Sequence, residues 1–135
     1  MRELRESEVK FNIVRDIRKE GGYARRIEDR FSVGSPDLIT IPLGSLVVWL
    51  EVKVVRGNLL EPEARQLVEL KRLRIPPHST TFLIGWKAGI HFISPPVDKI
   101  HIDDCIKQKP NERMGDFIRR AIDVEHLIER NGNEE

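Results

Sequence analysis

Three ionisable residues stand where strands should be apolar. Asp37 opens the β-rich run Asp37-Leu38-Ile39-Thr40-Ile41, and Glu51-Val52-Lys53 interrupts the run from Leu46 to Val55, rich in Val, Leu and Trp. Side chains alternate across a strand, so Glu51 and Lys53 share one face while Leu50 and Val52 share the other. If the two runs pair as a hairpin over Pro42-Leu43-Gly44-Ser45, the start of the first lies near the end of the second, and Asp37 approaches both charged residues. Two carboxylates are hard oxygen ligands suited to Mg²⁺, which takes one or two of them and completes its octahedron with water and substrate phosphate. A neighbouring lysine can orient or deprotonate a water. The cation lowers that water's pKa and neutralises phosphate charge, as phosphodiester hydrolysis requires. The expected cofactor is therefore Mg²⁺, with Mn²⁺ as an alternative. The competing reading is a half-exposed strand on which Glu51 and Lys53 are paired for solubility.

Positioning these residues takes a mixed α/β domain. Val9, Ile13, Val14 and Ile17 form a helical stripe within residues 4–20, ended by Gly21-Gly22. Tyr23 to Glu28 reads as an edge strand, followed by the Gly34-Ser35-Pro36 turn and the hairpin. After Arg56-Gly57-Asn58, Pro62 suits the first turn of a second helix to Arg74, with Leu67, Leu70 and Leu73 on it. Thr80 to Trp86 and Ile90 to Ser94 flank Lys87-Ala88-Gly89 as a further hairpin, and Pro110-Asn111 supplies a cap for an amphipathic helix bearing Met114, Phe117, Ile118, Ala121 and Ile128. This order, αβββα and then more strands and a helix, requires a mixed sheet with helices packed on it.

Composition narrows the class. A chain of 135 residues that is 39% hydrophobic can bury one core, and 23 basic against 22 acidic residues argue against indiscriminate coating of nucleic acid. The charged N-terminus and the shortness of Leu46 to Leu50 give no secretory segment or membrane span, so a cytoplasmic protein is expected. Cys105 alone allows no internal disulfide, and His78, His91, His101 and His126 lack ligand spacing, which makes structural zinc improbable.

Gly34-Ser35-Pro36-Asp37 with Glu51-Val52-Lys53, between an acid-bearing helix and a helix carrying Gln66, resembles the PD-(D/E)XK nuclease superfamily. Within it the likeness is to small phage and bacterial VRR-NUC and Holliday-junction-resolvase-like nucleases, and it runs from Glu8 to about Trp86. The resemblance implies a restriction-endonuclease-like αβββαβ core, about residues 4–94, within a single nuclease domain of residues 1–130 that adds a C-terminal helix and a loose tail at 131–135. It implies that Asp37, Glu51, the Val52 carbonyl and Glu8 hold the metal, that Lys53 serves the water, and that Gln66 lies near that lysine. The family's spacer before this glutamine is more compact than Leu60 to Gln66 here.

The implied partner is DNA, branched or junction DNA in particular. Candidate backbone contacts are Arg25, Arg26 and Arg30 ahead of the hairpin, Arg56 beyond it, and Arg65 and Arg72 on the second helix. Trp49 and Trp86 sit in apolar strands, where core packing outweighs base stacking. The implied activity is a metal-dependent, structure-selective endodeoxyribonuclease; a DNA-binding or assembly module without cleavage is the alternative. Paired cuts need two sites, so a homodimer is expected through the C-terminal helix or the Thr80 to Ser94 hairpin, with packing of the helix stripe inside the chain as the other possibility.

Overall fold

The computed structural model describes residues 3–27 and 34–133, with side chains of the last helix up to residue 128. The expected Arg30 contact lies outside the described residues. Helix α1 (Glu6–Lys19) buries Val9, Ile13, Val14 and Ile17. Strands β1 (Tyr23–Arg26), β2 (Leu38–Ile41) and β3 (Val47–Val52) follow, then the short β4 (Leu59–Leu60) and helix α2 (Ala64–Arg72). β5 (Ser79–Lys87) and β6 (Ile90–Ser94) turn over Ala88 and Gly89, both at positive φ, as a two-residue hairpin favours. β7 (Ile100–His101), a 3₁₀ turn, β8 (Ile106–Lys107) and helix α3 (Met114–Asn133) complete the described elements.

The main sheet has the order β1-β2-β3-β5-β6-β8. β3 and β5 pair in parallel, with Glu51 opposite Leu83, while its other pairings are antiparallel. A parallel pair needs a crossover, and α2 supplies it. Alternation along the strands divides the core in two. Leu50, Val52, Phe82 and Ile84 join α1 and α3, whereas Leu83 joins Leu60 and Leu70 under α2. Gly85 makes room on the α2 side, since a Cβ there would lie 2.5 Å from the Leu60 side chain.

Several sequence expectations shift. Pro62 precedes α2 instead of opening it, because Glu63 and Gln66 form a capping box that starts the helix at Ala64. Asn111 occupies a positive-φ turn; the orphan N–H of Gly115 is met by Glu20 Oε1 at 2.9 Å, from the end of α1. Helix α3 continues to Asn133, so the first residues of the expected loose tail are helical. Met114, Phe117, Ile118 and Ala121 are buried within the chain, and β5 is enclosed by β3 and β6. Neither most of that stripe nor the body of the hairpin is therefore free to form a dimer interface; Leu127 and Ile128 are the apolar residues of α3 left exposed. Among the described residues no helix is long and apolar enough to cross a membrane.

Candidate active site

The hairpin brings the two carboxylates together at the end of the sheet. Asp37 directly precedes β2, and its Oδ2 accepts the Val52 N–H at 2.9 Å, which pins it to the strand carrying Glu51. Gly34, at φ +92°, turns the chain ahead of it; a Cβ there would lie 2.8 Å from the Arg65 carbonyl oxygen, so glycine lets this loop rest on the first turn of α2.

Glu51 is 1% exposed and faces α2. Its Oε2 accepts the Gln66 Nε2–H at 3.1 Å, while Gln66 Oε1 accepts the Glu63 N–H at 2.9 Å. The cap fixes which end of the amide is oxygen, so the nitrogen end must point at the carboxylate. Glu51 Oε1 is buried without a hydrogen-bond partner. Burial first, then the neighbouring Asp37 carboxylate, with which Glu51 can hydrogen-bond only when one of the two is protonated, push the Glu51 carboxyl up to about 9, against the opposing pull of Lys53 and Lys10. Two acceptors in a dry site need a proton or a cation between them.

Lys10 also enters this cluster. Its ammonium lies 3.0 Å from Asp37 Oδ1 and 3.1 Å from Glu6. Burial works against its charge, but the hydrogen bonds and charges of Asp37 and Glu6 prevail and hold its pKa above the usual lysine value. The spacing gave one signal for it: a cation one residue after Val9 and three before Ile13, at the margin of the apolar stripe. Glu8 is ion-paired to Arg5 at 2.9 Å and sits roughly 200° around the helix from Glu6. Lys10 thus joins Glu6, a second acid of α1, to Asp37.

Lys53 lines a cleft of about 460 Å³ with Glu6, Arg56, Leu59, Glu61 and Glu63. Of the other expected cations, Arg25 and Arg26 lie on β1, Arg65 lies on α2, and exposed Arg72 is 3.9 Å from Glu69. Trp86 packs on the core and meets His91 edge-on at 4.8 Å. Among the described residues no cluster of three His, Cys, Asp or Glu forms a protein-only metal cage. Two carboxylates with one orphaned buried oxygen do fit Mg²⁺, which leaves most of its shell to water and phosphate.

No protein-family model matches the chain, and a search of curated proteins finds no match. Among solved structures it resembles a Holliday junction resolvase, Hjc of the archaeal hyperthermophile Archaeoglobus fulgidus, at 15% identity and a TM-score of 0.56, over 71% of this chain and 83% of the resolvase. A VRR_NUC domain matches at 26% identity and a TM-score of 0.47, over 58% of this chain and 82% of that domain. The chain thus shares the fold of the archaeal resolvase, a mixed sheet flanked by helices as the sequence leads one to expect.

Proposed function

We propose that this chain is a metal-dependent endonuclease that hydrolyses phosphodiester bonds in DNA and prefers branched DNA such as a four-way junction. The observation that carries the reading is the buried, unpartnered Oε1 of Glu51 beside Asp37, a carboxyl pair that costs stability unless a proton or a cation joins it. Asp37, Glu51 and the Val52 carbonyl would hold Mg²⁺ or Mn²⁺. The bound cation would supply charge neutralisation at the phosphate and a more acidic water.

The chain's own residues do the rest. Gln66 fixes the rotamer of Glu51, and the Val52 N–H fixes Asp37. Lys53, at the wall of the cleft, orients the attacking water or takes its proton. Arg56 lines the same cleft and would meet the DNA backbone there, with Arg25, Arg26, Arg65 and Arg72 as outlying contacts. Glu8, engaged with Arg5, stays outside the ligand set we propose.

The described residues of each chain hold one such cluster, so paired cuts across a junction call for a homodimer, for which exposed Leu127 and Ile128 are the apolar residues available on α3. One observation favours a second reading, a DNA-binding module without cleavage: the Lys10 ammonium already sits on Asp37, where a metal would bind.

Incubating the purified protein with a four-way junction, a flap, a linear duplex and a single strand separates these readings. The nuclease cuts the junction fastest with Mg²⁺ or Mn²⁺, binds without cutting in Ca²⁺, and is silenced by chelator. Binding without cleavage in any metal selects the second reading, and chelator-resistant cleavage removes the metal from the mechanism. Light scattering near twice the 15.7 kDa chain mass supports the dimer; a monomer mass with junction bound rules it out.

A further inference from the structure

Helix α1 has a flank that the cleft does not use. At 3.6 residues per turn, Phe11, Arg15 and Arg18 line up well away from the buried Ile13 and Ile17. With Val14, Lys19 and Arg26 they line a groove of about 560 Å³ between α1 and β1. Arg26 reaches it by strand alternation: buried Ala24 and Arg26 face α1, while Tyr23 and Arg25 face away. Among the described residues β1 is an edge of the main sheet, with no further strand of that sheet beyond it.

The lining has an unusual combination of groups. Phe11 is 63% exposed, although a ring of that size ordinarily contributes to a core. Four of the six lining residues are cations. Arg15 is paired with Asp16 at 3.0 Å, and the Arg18 Nε–H donates to the Ala24 carbonyl at 2.9 Å, which lays that guanidinium along β1. Lys19 and Arg26 have no ion-pair partner among the described residues. Duplex bases are stacked and offer a ring no face, whereas an unpaired strand offers both bases and phosphates to such a surface.

We propose that the α1–β1 groove holds an unpaired strand of the DNA substrate, with Phe11 stacked on a base and Lys19 and Arg26 on the flanking phosphates. This rests on the reading of the neighbouring cleft as a DNA site. Lys10 and Arg18 lie about 12 Å apart along the same helix at 1.5 Å per residue. That is a span of only a few nucleotides for an unpaired strand. A strand leaving the Asp37–Lys10 pair along α1 therefore reaches the groove.

Binding of three labelled probes to the full chain in chelator tests this: a single strand, a blunt duplex, and the same duplex with an unpaired arm. Phe11→Ala should weaken the single strand and the armed duplex on the order of tenfold and leave the blunt duplex unchanged, with Phe11→Leu intermediate. Lys19→Ala with Arg26→Ala should lower the slope of log affinity against log salt on the single strand by about 1.4, the share of two phosphate contacts, while Phe11→Ala leaves that slope alone. Unaltered binding of the armed duplex by Phe11→Ala, equal losses on all three probes, or displacement of the strand by polyglutamate as effectively as by unlabelled single strand would each overturn the groove. Cleavage in Mg²⁺ keeps the two readings apart. If no DNA is cut but Phe11→Ala still loses the armed duplex, the groove stands without the nuclease. If junctions are cut and Phe11→Ala binds every probe like the wild type, the groove alone falls.

Discussion

The Lys10 ammonium lies 3.0 Å from Asp37 Oδ1, so a helix cation already neutralises one of the two carboxylates proposed to hold a metal. Both side chains are largely sheltered, at 15% and 19% exposure, which makes their pairing worth more than a surface ion pair. Lys10→Met should lower the stability of the chelated protein by about 1–3 kcal/mol, the range for hydrogen bonds to charged groups. Mg²⁺ should then recover more stability in the variant than in the wild type. Thermal unfolding of both proteins in chelator and in Mg²⁺ provides the comparison; equal Mg²⁺ shifts would mean that Lys10 does not compete with the cation.

Asp37→Asn, Glu51→Gln and Lys53→Ala should each reduce junction cleavage by on the order of 10³-fold or more, since a catalytic metal site supplies several kcal/mol of transition-state stabilisation. Circular dichroism and DNA binding should change little. Near-normal turnover in any one variant would remove that residue from the chemistry.

The pH dependence of stability has a definite sign. Glu51 ionises near 4.5 when unfolded and is pushed up to about 9 in the fold, so between these values the native state binds the extra proton. Its contribution is fully present below the lower value and is lost as pH rises through the upper one. The melting temperature of the chelated protein should therefore fall over this window, and Glu51→Gln should flatten the trend. Mg²⁺ should raise the melting temperature more on the alkaline side of the window than on the acidic side, because the cation takes the proton's place. A Mg²⁺ shift independent of pH would contradict a site at this carboxyl pair.

Gln66 has two tasks that different substitutions separate. Gln66→Ala loses both the cap of α2 and the bond to Glu51, and should cost about 1–2 kcal/mol together with most of the activity. Gln66→Glu keeps an acceptor for the Glu63 N–H but places a third carboxyl beside Glu51. It should retain more stability than Gln66→Ala yet cleave no better. Melting temperature and turnover, measured on both variants, show whether the two tasks part in this way.

The legible part of the site is the part that a hairpin makes local. Asp37 and Glu51 are fourteen positions apart, but one tight turn and strand alternation were enough to predict that they meet. Lys10 was not legible in the same way, because the strand end that a helix residue reaches depends on how the helix docks on the sheet. β4, β7 and β8 each hold two residues, too few for any periodicity to register. The α3 stripe is apolar by its spacing, but periodicity says nothing of what covers it; the structure places α1 and the sheet there.

The bond from Gly115 N–H to Glu20 spans 95 residues and joins the end of the helix that carries Lys10 to the start of α3. During synthesis at about 5–20 residues per second, roughly 5 to 20 s separate the appearance of those two partners. Asp37, Glu51 and Gln66 all emerge within that interval, while the apolar stripe of α1 still lacks Met114, Phe117 and Ile118 to close over it. A nascent chain at that stage holds the proposed site residues in sequence, while the helix that packs on α1 is still to come. Translation thus delivers Asp37, Glu51 and Gln66 before the residues of α3 that pack on α1.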